Sequence, residues 1–304
     1  MSDVPAATTV PTRDELHDIE HVAVELATLA GAEITRTLGS IFRVRYKPGQ
    51  SAEKISLADP VSEVDGRIEE LIRARLAEVF PDHDIIGEEM IERPARGHGY
   101  VWAVDPIDGT TNFVNGFPVF AAAIGVLYCG RPVVGAVWSS ISHALRPGVY
   151  YATDGGKLRF EGDDVTPKLN PAVKRRLAGV PVVTSGDGDW DTRKTGSAAV
   201  ECALVAAGLL QVARFAAPNI WDVAGGLTLL RAAGCDIRRN ENGRWLRMEQ
   251  FTPMTGPADT QDLRYWRGSL IVGMPEAVER MCRADGVDND FRRRSGVLLS
   301  KAKP

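Results

Sequence analysis

Three short segments place acidic residues where an apolar strand should end or an apolar helix begin. That placement restricts the fold more than any other feature of the chain. Ile85-Ile86-Gly87-Glu88-Glu89 runs an apolar strand into a glycine and two carboxylates. Trp102-Ala103-Val104-Asp105-Pro106-Ile107-Asp108-Gly109-Thr110-Thr111-Asn112-Phe113 ends a strand in Asp and sets a second Asp shortly after it. Trp221-Asp222-Val223-Ala224-Gly225-Gly226 opens an apolar helix on Asp. Singly, each has an ordinary explanation: Asp-Pro and Asp-Gly form turns, Asp222 caps a helix, and Gly-Glu-Glu is an exposed loop. Together they set oxygen ligands on rigid strand and helix ends, the donor set a hard divalent cation requires. No His lies in the three segments, which favours Mg²⁺ over Zn²⁺. Pro106 restricts the backbone and favours a turn, so Asp105 and Asp108 are expected to converge while the Ile107 carbonyl points inward. Gly109-Thr110-Thr111, at a helix start, offers backbone N–H groups to a phosphate. Metals and a phosphate seat built from one loop point to phosphoryl-ester chemistry.

The rest of the chain supplies a layered frame for these ends. Residues 1–11 read as a loose polar arm. Thr12 and Glu15 have capping-box spacing, and a helical pattern follows through Ile19, Val22, Ala23, Leu26, Ala30 and Ile34 to a stop at Gly39. Arg43–Lys54 reads as a loop or short hairpin. Ser62–Phe80 is helical, with Ile68, Leu71, Ile72, Leu76 and Val79 on one face. Strands are expected at 84–86, 100–104, 121–129, 133–138 and 149–152. A polar, proline-containing stretch suggests a boundary near 165, dividing an N-terminal α+β metal-binding domain (1–165) from a C-terminal α/β domain (166–304). The second half alternates: a strand at 180–184, an apolar helix at 196–210, a strand at 212–215, a helix at 223–233, a strand at 270–273 and a last helix from Pro275. Such alternation predicts a layered α/β unit.

Composition narrows the function by exclusion. A chain of 304 residues with 44% hydrophobic and 25% charged residues has globular composition, and a formal charge of −4 does not suit a protein that coats nucleic acid or an acidic membrane. The longest apolar run, Val119–Cys129, is too short to span a bilayer. The N-terminus lacks the basic start and apolar stretch of a signal peptide. Four scattered cysteines argue against a disulfide framework and fit a reducing cytoplasm.

Two further segments complete a pattern. Asp59-Pro60-Val61-Ser62-Glu63-Val64-Asp65 lies upstream, and Thr195-Gly196-Ser197-Ala198-Ala199 precedes the apolar helix of the second half. With the three acidic junctions, in this order and spacing over about residues 14–285, the chain resembles the inositol monophosphatase family. The resemblance implies a five-layer αβαβα sandwich of the α/β class and Mg²⁺-dependent hydrolysis of a small phosphate monoester, with two to three ions per site. It implies that Glu88, Asp105 and the Ile107 carbonyl hold the first ion, and that Asp105, Asp108 and Asp222 hold the second. Glu88 and waters near Asp65 would hold a third. Asp65 and Thr110 would orient the attacking water, so the catalytic set is Asp65, Glu88 and Thr110. The Gly109 and Thr110 amides would receive the phosphate, with Asp108 and Asp222 beside the substrate; Asp59 would be only a turn or cap residue. Lithium sensitivity and a homodimer are also implied.

The chain departs from the family where polyol hydroxyls are bound. The usual Glu six residues before the Trp of the Trp-Asp motif is Phe215 here, preceded by Arg214. Both are candidate specificity residues, Arg214 for a second anionic group, and inositol monophosphate is not expected to be the best substrate. A sugar bisphosphate, histidinol phosphate or a nucleotide 3′-phosphate are alternatives, as is a regulatory binding protein on the same fold. Among other residues, His17 and His21 are read as a solvated face, Glu201 as a solvent-edge residue, Cys202 and Cys235 as core, and Trp102 and Trp221 as walls of the site. The basic run Arg292–Arg294 is read as a solvated tail.

Overall fold

Helix α1 (Arg13–Thr37) starts at the predicted capping box: the Thr12 hydroxyl accepts from the Glu15 amide, and the Glu15 carboxylate accepts from the Thr12 amide at 2.8 Å. This chain is seen in a computed structural model that describes residues 11–40, 44–48, 55–90, 99–167, 170–182, 190–256 and 261–285. The arm and the basic tail therefore lie outside the described residues. Strands β1 (Val44–Pro48) and β2 (Ile55–Ser62) pair antiparallel, so the basic stretch belongs to a hairpin. Helix α2 (Glu63–Val79) follows a Ser62 cap. Its apolar row is Val64, Ile68, Ile72 and Leu76; Leu71 falls outside it and is exposed.

Seven strands then form one sheet in chain order: β3 (Asp84–Gly87), β4 (Tyr100–Asp108), β5 (Ala121–Tyr128), β6 (Arg131–Ser139), β7 (Gly148–Thr153), β8 (Arg159–Phe160) and β9 (Asp163–Asp164). A short helix α3 (Thr110–Val114) leaves the end of β4. The second half builds β10 (Arg176–Gly179), β11 (Trp190–Arg193), helix α4 (Ala198–Ala206), β12 (Val212–Phe215) and helix α5 (Ile220–Ala232). It continues with the hairpin β13 (Asp236–Glu241) and β14 (Arg244–Arg247), the two-residue pair β15 (Met254–Thr255) and β16 (Gln261–Asp262), and β17 (Leu270–Gly273). Residues 275–285 form a last helix, α6. The second sheet runs β11-β10-β12-β17-β13-β14.

Strand alternation assigns the layers, because successive side chains face opposite sides of a sheet. Trp102, Val104, Ala122, Ile124, Val134, Ala136 and Trp138 pack with α1 and α2. Their neighbours Val101, Ala103, Ala121, Ala123, Val137 and Tyr150 pack with α4 and α5. On the far side of α4 and α5 the same core takes Ala213, Phe215, Leu270 and Val272 from the second sheet, whereas Val212 and Ile271 turn outward to α6. The order is helices, sheet, helices, sheet, helix, the five-layer αβαβα arrangement.

Helix α5 lies almost directly on strands β5 and β6. A Cβ on Gly135 would stand 2.2 Å from the Gly225 carbonyl oxygen, and one on Gly125 would stand 2.4 Å from the Gly225 amide nitrogen. Glycine at these three positions lets helix backbone meet strand backbone, and so sets the height of Asp222 above the sheet. Two expectations shift. The strand predicted at 180–184 lies earlier, at β10, and residues 183–189 are outside the described set. The β13–β14 hairpin and β11 are additional elements. No helix among the described residues is long and apolar enough to cross a membrane.

Candidate active site

The acidic junctions meet in one polar cleft of about 200 Å³, lined by Glu88, Asp105, Ile107, Asp108, Gly109, Thr110, Thr111, Gly196, Asn219 and Asp222. The turn expected at Pro106 is instead a bulge within β4. Asp105 pairs with Ala123 and Asp108 with Ala121, so three steps on one strand oppose two on the other. Proline has no N–H for the ladder, which favours the irregularity there. The bulge resets parity: residues an odd number apart would face opposite sides, but here both carboxylates share the face of Ala121 and Ala123, toward α4 and α5. Ile107 turns into the opposite core, and its carbonyl oxygen accepts from the Thr110 hydroxyl at 2.8 Å.

Helix starts hold three of the acids. The Asp222 carboxylate accepts from the Asn219 amide at 2.8 Å in the first turn of α5. Asp108 accepts from the Ser197 hydroxyl at 2.5 Å and from the Ala199 amide at 2.6 Å, at the start of α4. Asp65, just behind the cleft wall, accepts from the Ser62 amide (2.9 Å) and hydroxyl (2.5 Å) at the start of α2. Thr110 Oγ1 lies 3.2 Å from Asp65 and closer to the Ile107 carbonyl, so its single proton serves one partner at a time.

Glu88 sits on a loop that is braced from beneath. Its amide donates to the Val104 carbonyl, extending the β3–β4 ladder. The fully buried Glu69 accepts from the amides of Glu89 (2.8 Å) and Met90 (3.1 Å) and from Arg73 Nε (2.8 Å). A Cβ on Gly87 would lie 2.0 Å from Glu69, so glycine is needed beside this brace. Arg264 donates to the Gly87 carbonyl at 2.8 Å from the opposite end of the chain.

Burial raises the acids together. It lifts Asp105 well above the usual carboxylate range, reinforced by the charges of Glu88, Asp108 and Asp222. Asp108 and Asp222 are raised for the same first reason, against the lowering effect of their hydrogen bonds. Asp65 is pushed up to about 6, again chiefly by burial. Asp105 Oδ1 is buried with no hydrogen-bond partner among the described residues. An orphaned carboxylate oxygen among three other carboxylates is a site that fits a hard cation. No group of three or more His, Cys, Asp and Glu side chains among the described residues is already arranged to hold an ion. The acids share the walls of the cleft without closing a coordination shell.

A model of the inositol monophosphatase family matches residues 15–189 and 163–262. The chain belongs to the inositol monophosphatase family. It is 31% identical to a fructose-1,6-bisphosphatase/inositol-1-monophosphatase of Aquifex aeolicus, across 69% of this chain and 81% of that one. It is 30% identical to the Nus factor SuhB of Pseudomonas aeruginosa, across 70% and 82%. Among solved structures, an IMPase of Thermotoga maritima superposes with a TM-score of 0.67 over 89% of this chain and 99% of the other, at 22% identity. The protein is thus a phosphatase of the inositol monophosphatase type, within a Mg²⁺-dependent family that acts on phosphorylated metabolites.

Within this inositol monophosphatase frame, several sequence-predicted residues stand apart from the cleft. Arg214 pairs with Asp285 at 2.6 Å, on the α6 side of its sheet. Phe215 is in the core between the sheets. Trp102 is buried on the α1–α2 side and donates to His83 Nδ1 at 3.0 Å, so it walls no site. Asp59 falls in β2, with its side chain outside the described residues. Glu201 is buried, not at a solvent edge, and accepts from the Thr195 hydroxyl at 2.7 Å. His17 and His21 are exposed. The sequence reading placed Ser197 at a helix start without its bond to Asp108, and it missed Glu69 and Arg264. Of those two, Glu69 carried a signal, lying one helical turn after Asp65 on the same face.

Proposed function

We propose that the cleft hydrolyses a small phosphate monoester with two to three Mg²⁺ ions. The observation that carries this reading is Asp105, a buried carboxylate with one oxygen that has no partner among the described residues, facing Glu88, Asp108 and Asp222. Glu88, Asp105 and the Ile107 carbonyl would hold one ion; Asp105, Asp108 and Asp222 would hold a second; Glu88 beside Asp65 would serve a third. Mg²⁺ bound there supplies Lewis-acid stabilisation of the phosphoryl oxygens and raises the acidity of the attacking water. The chain's own residues supply placement. Asp65 is fixed by Ser62 and, once the Ile107 carbonyl is engaged by an ion, would accept the Thr110 hydroxyl hydrogen bond, which leaves the Thr110 oxygen lone pairs to orient water. Gly109 adopts a left-handed backbone (φ +92°) at the start of α3, where the first amides have no partner within the helix. Those amides would receive phosphate oxygens, with Asp108 and Asp222 at the substrate.

Inositol monophosphate is not the preferred ester in this reading. The position of the family's polyol-binding Glu holds the Phe215 ring, turned into the core. Loss of a charge-assisted hydrogen bond costs about 1.5–3 kcal/mol. A homodimer, a cytoplasmic location and a metal-binding half ending near residue 165 belong to the same proposal; light scattering tests the dimer.

The deciding experiment is phosphate release from a panel of metabolite esters with Mg²⁺, for the wild type and Asp105→Asn. At least one ester should be turned over by the wild type, and the variant should be nearly inactive. Inositol monophosphate turned over far above every other ester would overturn the specificity argument. If neither protein hydrolyses any ester, the chain is a regulatory binding protein, the reading that its likeness to a Nus factor favours.

A further inference from the structure

The second-anion receptor sought at Arg214 has no place in the cleft, because Asp285 holds that guanidinium elsewhere. A different pair of arginines stands at the rim. The 3-10 turn Leu263–Tyr265, followed by Trp266 and Arg267, reaches across from the second sheet. The guanidinium carbons of Arg264 and Arg267 lie 5.4 and 5.5 Å from the centre of the Trp221 ring, immediately before Asp222. Arg264 is occupied, since it donates to the Gly87 carbonyl and so ties this turn to the Glu88 loop.

Arg267 is placed differently. Its backbone bridges to Asn219, the cleft-lining residue whose amide holds Asp222. It is exposed, and its Nη1 donates only to the carbonyls of Trp266 (2.7 Å) and Arg264 (3.4 Å). Its Nε and Nη2 make no hydrogen bond to a described residue, and it forms no ion pair with one. The carboxylates whose charge it feels are Asp222 and Glu88, both on the cleft wall. The cation–π contact with Trp221 and two bonds to backbone carbonyls restrain the guanidinium, so less side-chain freedom is lost on binding. A restrained, exposed guanidinium whose Nε and Nη2 have no partner among the described residues, beside a phosphate-ester cleft, suits a second phosphate or carboxylate.

We propose that Arg267, steadied by Trp221, is the receptor for a second anionic group on the substrate, so that the preferred esters carry two anions. The proposal rests on the phosphatase reading and names the substrate class for that same site. The test compares kcat/KM for two matched pairs with Mg²⁺. The pairs are fructose 1,6-bisphosphate against fructose 1-phosphate, and 2-phosphoglycerate against glycerol 2-phosphate. The proteins are the wild type, Arg267→Gln and Arg267→Lys, with melting curves for each. The wild type should favour the two-anion member of at least one pair by about 10- to 100-fold, the range of one charge-assisted bond. Arg267→Gln should remove that preference mainly through KM, with far less loss on the single-anion member, and Arg267→Lys should restore part of it. The pair that responds tells a second phosphate from a carboxylate. No wild-type preference in either pair, or an equal loss on both members in a folded variant, overturns the proposal. Absence of turnover of every ester overturns the phosphatase reading first, and the receptor with it.

Discussion

Glu69 touches no substrate in the proposed site, yet its replacement should be among the most damaging in the chain. Its side chain is fully buried and the Arg73 side chain is 11% exposed, so their contact is an interior ion pair at 2.8 Å. The same carboxylate accepts from the amides of Glu89 and Met90. Glu69→Ala would leave Arg73 without this carboxylate and two amides without acceptors. Breaking one side of a buried pair costs about 3–5 kcal/mol. Glu69→Gln keeps one carbonyl oxygen for an amide and loses the charge, so about 1–3 kcal/mol is expected. Because the loop carries Glu88, the released loop should also bind Mg²⁺ more weakly, in the same rank order. Urea unfolding without metal measures the first effect, and calorimetric Mg²⁺ titration of the folded variants measures the second. A Glu69→Ala protein with wild-type stability and wild-type Mg²⁺ affinity would refute the bracing argument.

Three other perturbations test separate parts of the structure. Gly135→Ala places a Cβ 2.2 Å from the Gly225 carbonyl and should push α5 outward. That should cost about 1–3 kcal/mol in melting experiments and, because Asp222 rides on α5, about 100-fold in kcat. Gly66→Ala is the converse: a Cβ there meets nothing within 4 Å in α2, and stability should rise by about 0.4–1 kcal/mol. Glu201 is raised by burial from 4.5 to about 7. Between those values the folded state binds the proton that the unfolded state releases, so stability falls as pH rises through the window, by about 3 kcal/mol. Glu201→Gln should remove that slope and be the more stable protein at pH values above the window. Parallel stability–pH curves for the two proteins would contradict the assignment.

The parts of the fold legible in the sequence are those encoded locally. The Thr12–Glu15 box and the Ile68–Ile72–Leu76 row are short-range patterns, and each falls where capping chemistry or periodicity put it, whereas Asp105, expected to end a strand, lies within β4. Strand parity also sets the direction of Arg214. Val212 and Arg214 share one face of β12, and Ala213 and Phe215 share the other, so Arg214 must face α6. The β13–β14 hairpin carried an Asn242-Gly243 turn, with both residues in the left-handed region, but its arginine-rich strands hid the alternation. Glu201 was misread because an apolar helix held between two sheets has no solvent edge. The place of Glu69 on the Asp65 face was local, but the loop amides it braces and the partners of the arginines of 264–267 are distant in the chain and lay beyond local reading.

The acids of the cleft are held by one repeated device, which also shows where it stops. Asp65 and Asp222 are both third residues of a helix whose carboxylate returns to the preceding cap amide, and Asp108 accepts from the first turn of α4. Helix N-termini favour negative charge, by about 0.3–1 kcal/mol each at exposed sites and up to about 2 in partly buried ones. This support is outweighed, since burial still raises all three acids. Asp105 lies mid-strand, at no helix start, and keeps one oxygen with no donor among the described residues. The deficit in charge compensation is therefore greatest at the carboxylate on which the charges of Glu88, Asp108 and Asp222 all bear. A divalent ion held there would relieve it best and would also reduce the repulsion among Glu88, Asp108 and Asp222. Metal binding and folding stability should for this reason be more tightly linked through Asp105 than through any other acid of the cleft. Asp105→Asn should stabilise the metal-free protein while removing most of the stabilisation that Mg²⁺ confers.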